Sequence, residues 1–140
     1  MKNDVILRVG VKLLLPFILL FALYVHYHGD YGPGGGFQAG VISAGMIILY
    51  ALVFGVERAK RVAPEWLVER LVPTGVLIYA SAGLPAMFAG KNYLDYTVYS
   101  HDPLHGHEWG VLLVETGVIV TVASTMTAIF YAFVDRGRGA

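Results

Sequence analysis

Four stretches of this chain are apolar for about the length a helix needs to cross a lipid bilayer, and every other feature has to fit around them. They run from about Val11 to His28, Phe37 to Val56, Val72 to Phe88 and Trp109 to Phe133. Hydrocarbon offers no water to the backbone, so segments of this kind fold as helices that satisfy their own N–H and C=O groups. Composition agrees, since 56% hydrophobic and 14% charged residues in 140 leave too little polar surface to cover a soluble core. Residues 1–140 are read as a single all-α membrane domain of four transmembrane helices, with no soluble domain, low-complexity tract or convincing internal repeat.

The first stretch, VKLLLPFILLFALYVHYH, follows Lys2 and Arg8, as a signal peptide would. No small-residue cleavage site comes after it, because Tyr24, Val25, His26, Tyr27 and His28 do not suit a signal peptidase pocket. It is expected to stay as the first helix, with Pro16 kinking it early. Orientation follows from the basic residues. The N-terminal part carries Lys2, Arg8 and Lys12, Arg58, Lys60, Arg61 and Arg70 lie between the second and third spans, and Arg136 and Arg138 lie near the C-terminus. Nine of the ten Lys and Arg residues thus fall on one side, leaving Lys91 on the other. The positive-inside rule then puts both termini in the cytoplasm of an inner-membrane protein. In the second connection, Pro64 and Glu65 suit a helix start, and Trp66, Leu67 and Leu71 are candidates to lie along the membrane interface.

Glu115 is the acidic residue inside a predicted span, about six residues into the fourth, which is roughly 7–9 Å along a helix. A carboxylate at that depth costs a few kcal/mol unless it is paired or hydrated, so it faces protein or water and marks an ion path, or else snorkels or bonds a neighbouring helix. Burial disfavours its charged form and brings reversible protonation towards neutral pH. His26, His28 and Asp30 cluster at the outer end of the first span, with His26 closest to the membrane and so the better proton relay. Between the first two spans, Pro33, Gly34, Gly35, Gly36 and Gly40 permit a tight reversal and close helix packing, with Gly36, Gly40 and Ala44 spaced every four residues. This run is not a phosphate loop, because no Lys-Ser or Lys-Thr follows it. Gln38 is the polar side chain there best placed to touch an ion. Thr116, Thr121, Ser124, Thr125 and Thr127 either bond helix carbonyls or line a hydrated path, and the tyrosines near 93–99 most simply form an aromatic belt.

Several function classes drop out. A formal net charge of zero gives no basic face for nucleic acid, and the absence of cysteine excludes disulfides and thiol chemistry. His101, His105, His107 and Glu108 contain enough donors for zinc, but their spacing matches no standard site, so no metal is expected. There is no nucleophile–base pair and no cofactor motif, so an enzyme is the least favoured reading.

The run LLLPFILLFALYVHYHGDYGPGGGFQAGVISAGMIILYALVFGVE, followed far downstream by VETGVIVTVASTMTAIF, resembles the B subunit of multisubunit Mrp-type sodium/proton antiporters, the MnhB family. The resemblance rests on an HGxxxPGGGFQxG pattern (His28, Gly29, Pro33, Gly34, Gly35, Gly36, Phe37, Gln38 and Gly40) and on VETG around Glu115. It implies an accessory subunit that does not transport alone. Its partners would be the lipid bilayer, small membrane subunits and large antiporter subunits related to those of respiratory complex I, in an assembly exchanging Na+ for H+. By that resemblance Glu115 is the family's acidic position in the last helix, and His28 with the glycine run is its motif between the first two. Many relatives carry a second histidine as HGH where this chain has Asp30. The same module also occurs in hydrogenase-type redox-driven pumps, and a purely structural scaffold is a further alternative.

Overall fold

The computed structural model describes residues 5–29, 32–100 and 103–138. Among these there are only helices and connections: α1 (Val5–Tyr27), α2 (Gly36–Phe54), α3 (Val56–Val62), α4 (Glu65–Ser81), α5 (Leu84–Phe88), a 3-10 turn (Tyr96–Val98) and α6 (Pro103–Arg138). Four segments are long and apolar enough to cross a membrane: Val5–Tyr27, Gly36–Phe54, Glu65–Phe88 and His105–Gly137. α1 and α4 start well before their apolar stretches and α6 runs past both ends of its own, because hydropathy marks what suits lipid, whereas a helix continues until its backbone meets a breaker, as α2 does at Gly55.

These helices form a row rather than a closed ring. α6 lies between α2 and α4, and α1 packs on the far side of α2 while touching α6 only slightly. Small residues permit the close approaches. On α2, Gly36, Ala39, Gly40, Ala44 and Ala51 are buried. A β-carbon at Gly40 would lie 2.8 Å from the Val122 side chain of α6. Where α4 crosses α6 the two backbones touch, since a β-carbon at Gly75 would come within 2.7 Å of the Gly117 carbonyl, and one at Gly117 within 2.6 Å of the Tyr79 nitrogen. On α6 the buried residues Gly110, Gly117, Ser124 and Tyr131 recur every seven positions, the period of a seam that keeps facing its neighbour. By contrast Leu13, Phe17, Leu20, Phe21 and Tyr24 of α1 point outward, as on a surface meeting lipid or other subunits. The row also encloses an apolar groove of about 340 Å³ on one face, lined from all four spanning segments by residues such as Leu19, Ile47, Leu71 and Ile119.

The ends of the row are built differently. At the end holding the start of α1 and the close of α6, Gly55 takes φ 98°, a conformation glycine adopts without strain, and turns the chain from α2 into α3. There Ala51, Ala59, Val68 and Tyr131 pack together, and the Tyr131 hydroxyl donates to the Ala63 carbonyl at 3.0 Å. Lys60 Nζ donates to both Asp135 oxygens, at 2.8 and 3.0 Å, and pairs with Glu65. These hydrogen bonds, Asp135 first and Glu65 second, raise the Lys60 ammonium above its ordinary value.

Two local expectations gain detail. The helix that starts at Glu65 carries Trp66, Leu67 and Leu71 in its opening turns and continues as α4 into the third spanning segment. Nothing between Leu71 and Val72 breaks the helix, and Pro73 is accommodated within it. At the other end, Tyr93 and Tyr99 do more than occupy an interface. Their hydroxyls donate to the Ala80 and Ala82 carbonyls at 3.0 and 2.7 Å, which ties the outer loop to the end of α4. The Tyr96 ring fills the space beside Gly110 and pins the outer loop to α6.

Candidate functional site

The connection from α1 to α2 folds back over Glu115. The Gly35 N–H donates to the Val25 carbonyl at 3.2 Å, which pins the turn to the last turn of α1. Gly35 has φ 129°, within the left-handed region that disfavours side chains, and it immediately precedes α2. A β-carbon at Gly34 would lie 2.6 Å from the Val25 carbonyl oxygen. One at Gly36 would collide with the Glu115 carbonyl, so α2 begins in direct contact with the α6 backbone. The Glu115 carboxylate lies under the same turn, with Oε1 3.0 Å from the β-carbon positions of both Gly29 and Gly35. The glycines thus form a cradle whose missing side chains leave room for this carboxylate.

Glu115 stands twelve residues after Pro103, roughly 18 Å along α6 at the helical rise, and its side chain is 22% exposed. The first turn of α2 adjoins it, with N–H groups that lack intrahelical acceptors and the positive end of the helix dipole. The imidazole of His26 approaches from α1. It is 5% exposed, and its Nδ1 lies 4.0 Å from Glu115 Oε2. Nε2 lies 3.4 Å from the hydroxyl of Thr116, the residue after Glu115. The Tyr27 ring meets the imidazole edge-on at 5.1 Å. Nδ1 is buried and has no hydrogen-bond partner among the described atoms.

Of the residues singled out from sequence, Glu115, His26 and the turn of Gly34, Gly35 and Gly36 come together here. The Gln38 side chain is exposed but bends towards the same place, its Oε1 3.6 Å from the β-carbon position of Gly35. Gly40 lies one turn further down α2, against Ile119 and Val122, and Pro33 is exposed on the rim. His28 goes elsewhere. Two residues on from His26 it projects about 200° round the helix, exposed and stacked on Tyr24 with ring centres 5.0 Å apart. Asp30 and His101 fall outside the described residues. Among those described, no three of His, Asp and Glu gather as metal ligands do, and His107 rests edge-on against Tyr96.

Thr116 as a partner of His26 was not singled out from sequence beyond its place among the hydroxyls of the last span. Four of those hydroxyls bond the carbonyl four residues back: Thr116 to Leu112 at 2.7 Å, Thr121 to Gly117 at 2.9 Å, Ser124 to Val120 at 2.5 Å and Thr127 to Ala123 at 2.7 Å. This is the within-helix alternative rather than a row of open hydroxyls. Gly75 and Gly117 were also missed. A glycine in each of two spans was the available signal, but which helices meet is not written in either.

Known proteins match this arrangement along most of its length. A family model described as a domain related to the MnhB subunit of the Na+/H+ antiporter matches residues 6–128. The chain belongs to the MnhB family. A MnhB relative from Staphylococcus haemolyticus, named "Putative antiporter subunit mnhB2", is 34% identical over 134 residues, covering 94% of this chain and 94% of its own length. Proteins of the same name from Staphylococcus epidermidis and Staphylococcus aureus are 35% and 33% identical, covering 86% and 90% of this MnhB chain. The matched span includes every element of the site, from His26 through the glycine turn to Thr116.

Proposed function

We propose that this MnhB chain is an accessory membrane subunit of a multisubunit Na+/H+ antiporter, and that Glu115 borders the ion path of the assembled complex. The observation that carries the second part is the cradle. A carboxylate lies among apolar spanning helices, with room made for it by Gly29 and Gly35, and a buried imidazole 4.0 Å away. An acidic group in that setting is retained for ion or proton handling far more readily than for packing alone. The row architecture fits an accessory role. Four helices side by side enclose no crossing route by themselves, and the outward apolar face of α1 suits contact with lipid or with large antiporter subunits. The basic residues favour an inner-membrane protein with both termini cytoplasmic. The relatives' names favour the antiporter setting over a hydrogenase-type pump.

Glu115→Gln keeps the shape and removes the charge. In everted membrane vesicles carrying the complete complex, Na+-dependent proton exchange is expected to collapse while the complex still runs intact on native gels. Full exchange in an intact complex would remove Glu115 from the path. A scaffold reading has one observation of its own, the contact between Gly36 and the Glu115 main chain. It predicts that Glu115→Gln leaves exchange unchanged in whatever complex assembles, and that variants at Gly36 fail by losing the complex.

A further inference from the structure

His26 presents one ring nitrogen to a hydroxyl and the other to a carboxylate, and the chemistry of the hydroxyl decides what the carboxylate meets. Thr116 has a single hydroxyl hydrogen. The 2.7 Å bond to the Leu112 carbonyl takes it, so at the longer 3.4 Å contact the Thr116 oxygen can only accept. That contact is a hydrogen bond only when the imidazole carries a hydrogen on Nε2. In the neutral ring Nδ1 is then a bare acceptor, buried and aimed at Glu115 Oε2.

We propose that Thr116 is a positioning residue that holds His26 in the Nε2–H tautomer, so that His26 and Glu115 share one proton across the Nδ1–Oε2 gap. This rests on the reading of Glu115 as part of the ion path. Among the described residues the titratable groups facing His26 are Glu115 from α6 and Tyr27 from its own helix. The glycine turn and α2 contribute backbone and, beyond Gly35, the neutral Gln38 amide. The 4.0 Å separation is about 1 Å longer than a direct bond, so sharing the proton requires the carboxylate to turn towards the ring.

In the loaded pair the proton sits on the Glu115 carboxyl and is donated to Nδ1. Its transfer breaks the O–H bond, forms Nδ1–H, and leaves an imidazolium facing a carboxylate with no change in total charge. Release of the proton leaves a carboxylate facing a lone pair, two acceptors with nothing between them, which favours taking the proton back. Valine at position 116 keeps the shape and removes the acceptor for Nε2–H. The ring then moves its hydrogen to Nδ1, where it donates to the carboxylate and stabilises the deprotonated pair.

Two measurements test this. The first is solid-state NMR of the full chain in lipid bilayers with 15N-labelled histidine, the His26 signals being identified by their loss in His26→Gln. Neutral His26 is expected as Nε2–H in the wild type and in Thr116→Ser, and as Nδ1–H in Thr116→Val. The second is the pH profile of antiport in vesicles carrying the complex. Thr116→Val should move it to lower pH by about one unit, equivalent to ~1.4 kcal/mol, and Thr116→Ser should restore the wild-type profile. A wild-type Nδ1–H signal overturns the proposal, as does an unmoved profile in Thr116→Val once the tautomer has changed. If the tautomers behave as stated but Glu115→Gln leaves exchange intact, the tautomer assignment stands and the ion-path reading fails.

Discussion

Two carboxylates of α6, Glu115 and Asp135, are treated in opposite ways. Asp135 meets an ammonium that donates to both its oxygens, and Lys60 also pairs with Glu65 and lies over the Tyr131 ring at 5.6 Å. Glu115 meets a glycine turn, a helix N-terminus and a buried imidazole whose facing nitrogen has no partner. Asp135 therefore fastens α6 to α3 through Lys60, whereas Glu115 lies beside a buried ring nitrogen, the setting on which we base its proposed place at the ion path.

The two turns differ in parallel, and the largest expected effect comes from them. Gly36→Ala places a methyl group on the Glu115 carbonyl, and neither backbone can yield without parting α2 from α6. Overpacking of this kind costs about 1–3 kcal/mol, so a large fall in thermal stability of the purified complex is expected, with loss of antiport. Gly55→Ala meets no atom within 4 Å, so only its φ of 98° is strained. Its cost should be smaller, about 1 kcal/mol, and antiport should survive. Equal damage from both would break the comparison between the turns.

Next in size is the contrast between the carboxylates themselves. Glu115→Gln should reduce antiport by about tenfold or more, equivalent to at least ~1.4 kcal/mol of barrier. Asp135→Asn should leave the rate within about twofold, under ~0.5 kcal/mol on the same scale, and lower only stability. Comparable losses of rate from both would mean that the Lys60 end also handles ions. Lys60→Met is the smallest change. Its partners are roughly half exposed, and pairs of that kind contribute about 0–1 kcal/mol.

Alkaline titration sharpens the same contrast. Lys60 has its value raised in the folded protein, so its contribution is fully present below the ordinary lysine value of 10.5 and disappears as pH rises through the raised value. Stability that depends on Lys60 should be flat across the neutral range, measured as the melting difference between wild type and Lys60→Met. Loss of that difference near neutral pH would contradict the assignment.

Much of this was legible in the chain. Hydropathy marks the four spans because lipid selects residue by residue. Glu115 stands out because a carboxylate in such a span is costly, and the PGGGF run announces a tight reversal because glycine alone tolerates that backbone. The sequence favoured His26 over His28 only by its depth along the span, and what either side chain faces was not legible. Both sit at the outer end of α1, two residues apart, and only the rotation of that helix about its axis turns the first towards Glu115 and the second towards solvent. Nor could the tyrosines of the outer loop be given their hydroxyl acceptors, because those carbonyls come within reach only when the loop folds back over the end of α4.

The sequence by itself determined that the chain is helical, that it is built for a membrane, and that one acidic side chain and one glycine-rich turn are out of the ordinary. Those properties are local, being set by the solvent around each span and the backbone freedom of each residue. The tertiary structure decided that the turn and the acid are one site. It decided too that the glycines leave space over Glu115 as well as making the bend, and that a histidine from another helix meets both the acid and the threonine beside it. Those relations depend on which helix faces meet, and helices whose exteriors are apolar on every side carry little amphipathic signal to foretell it.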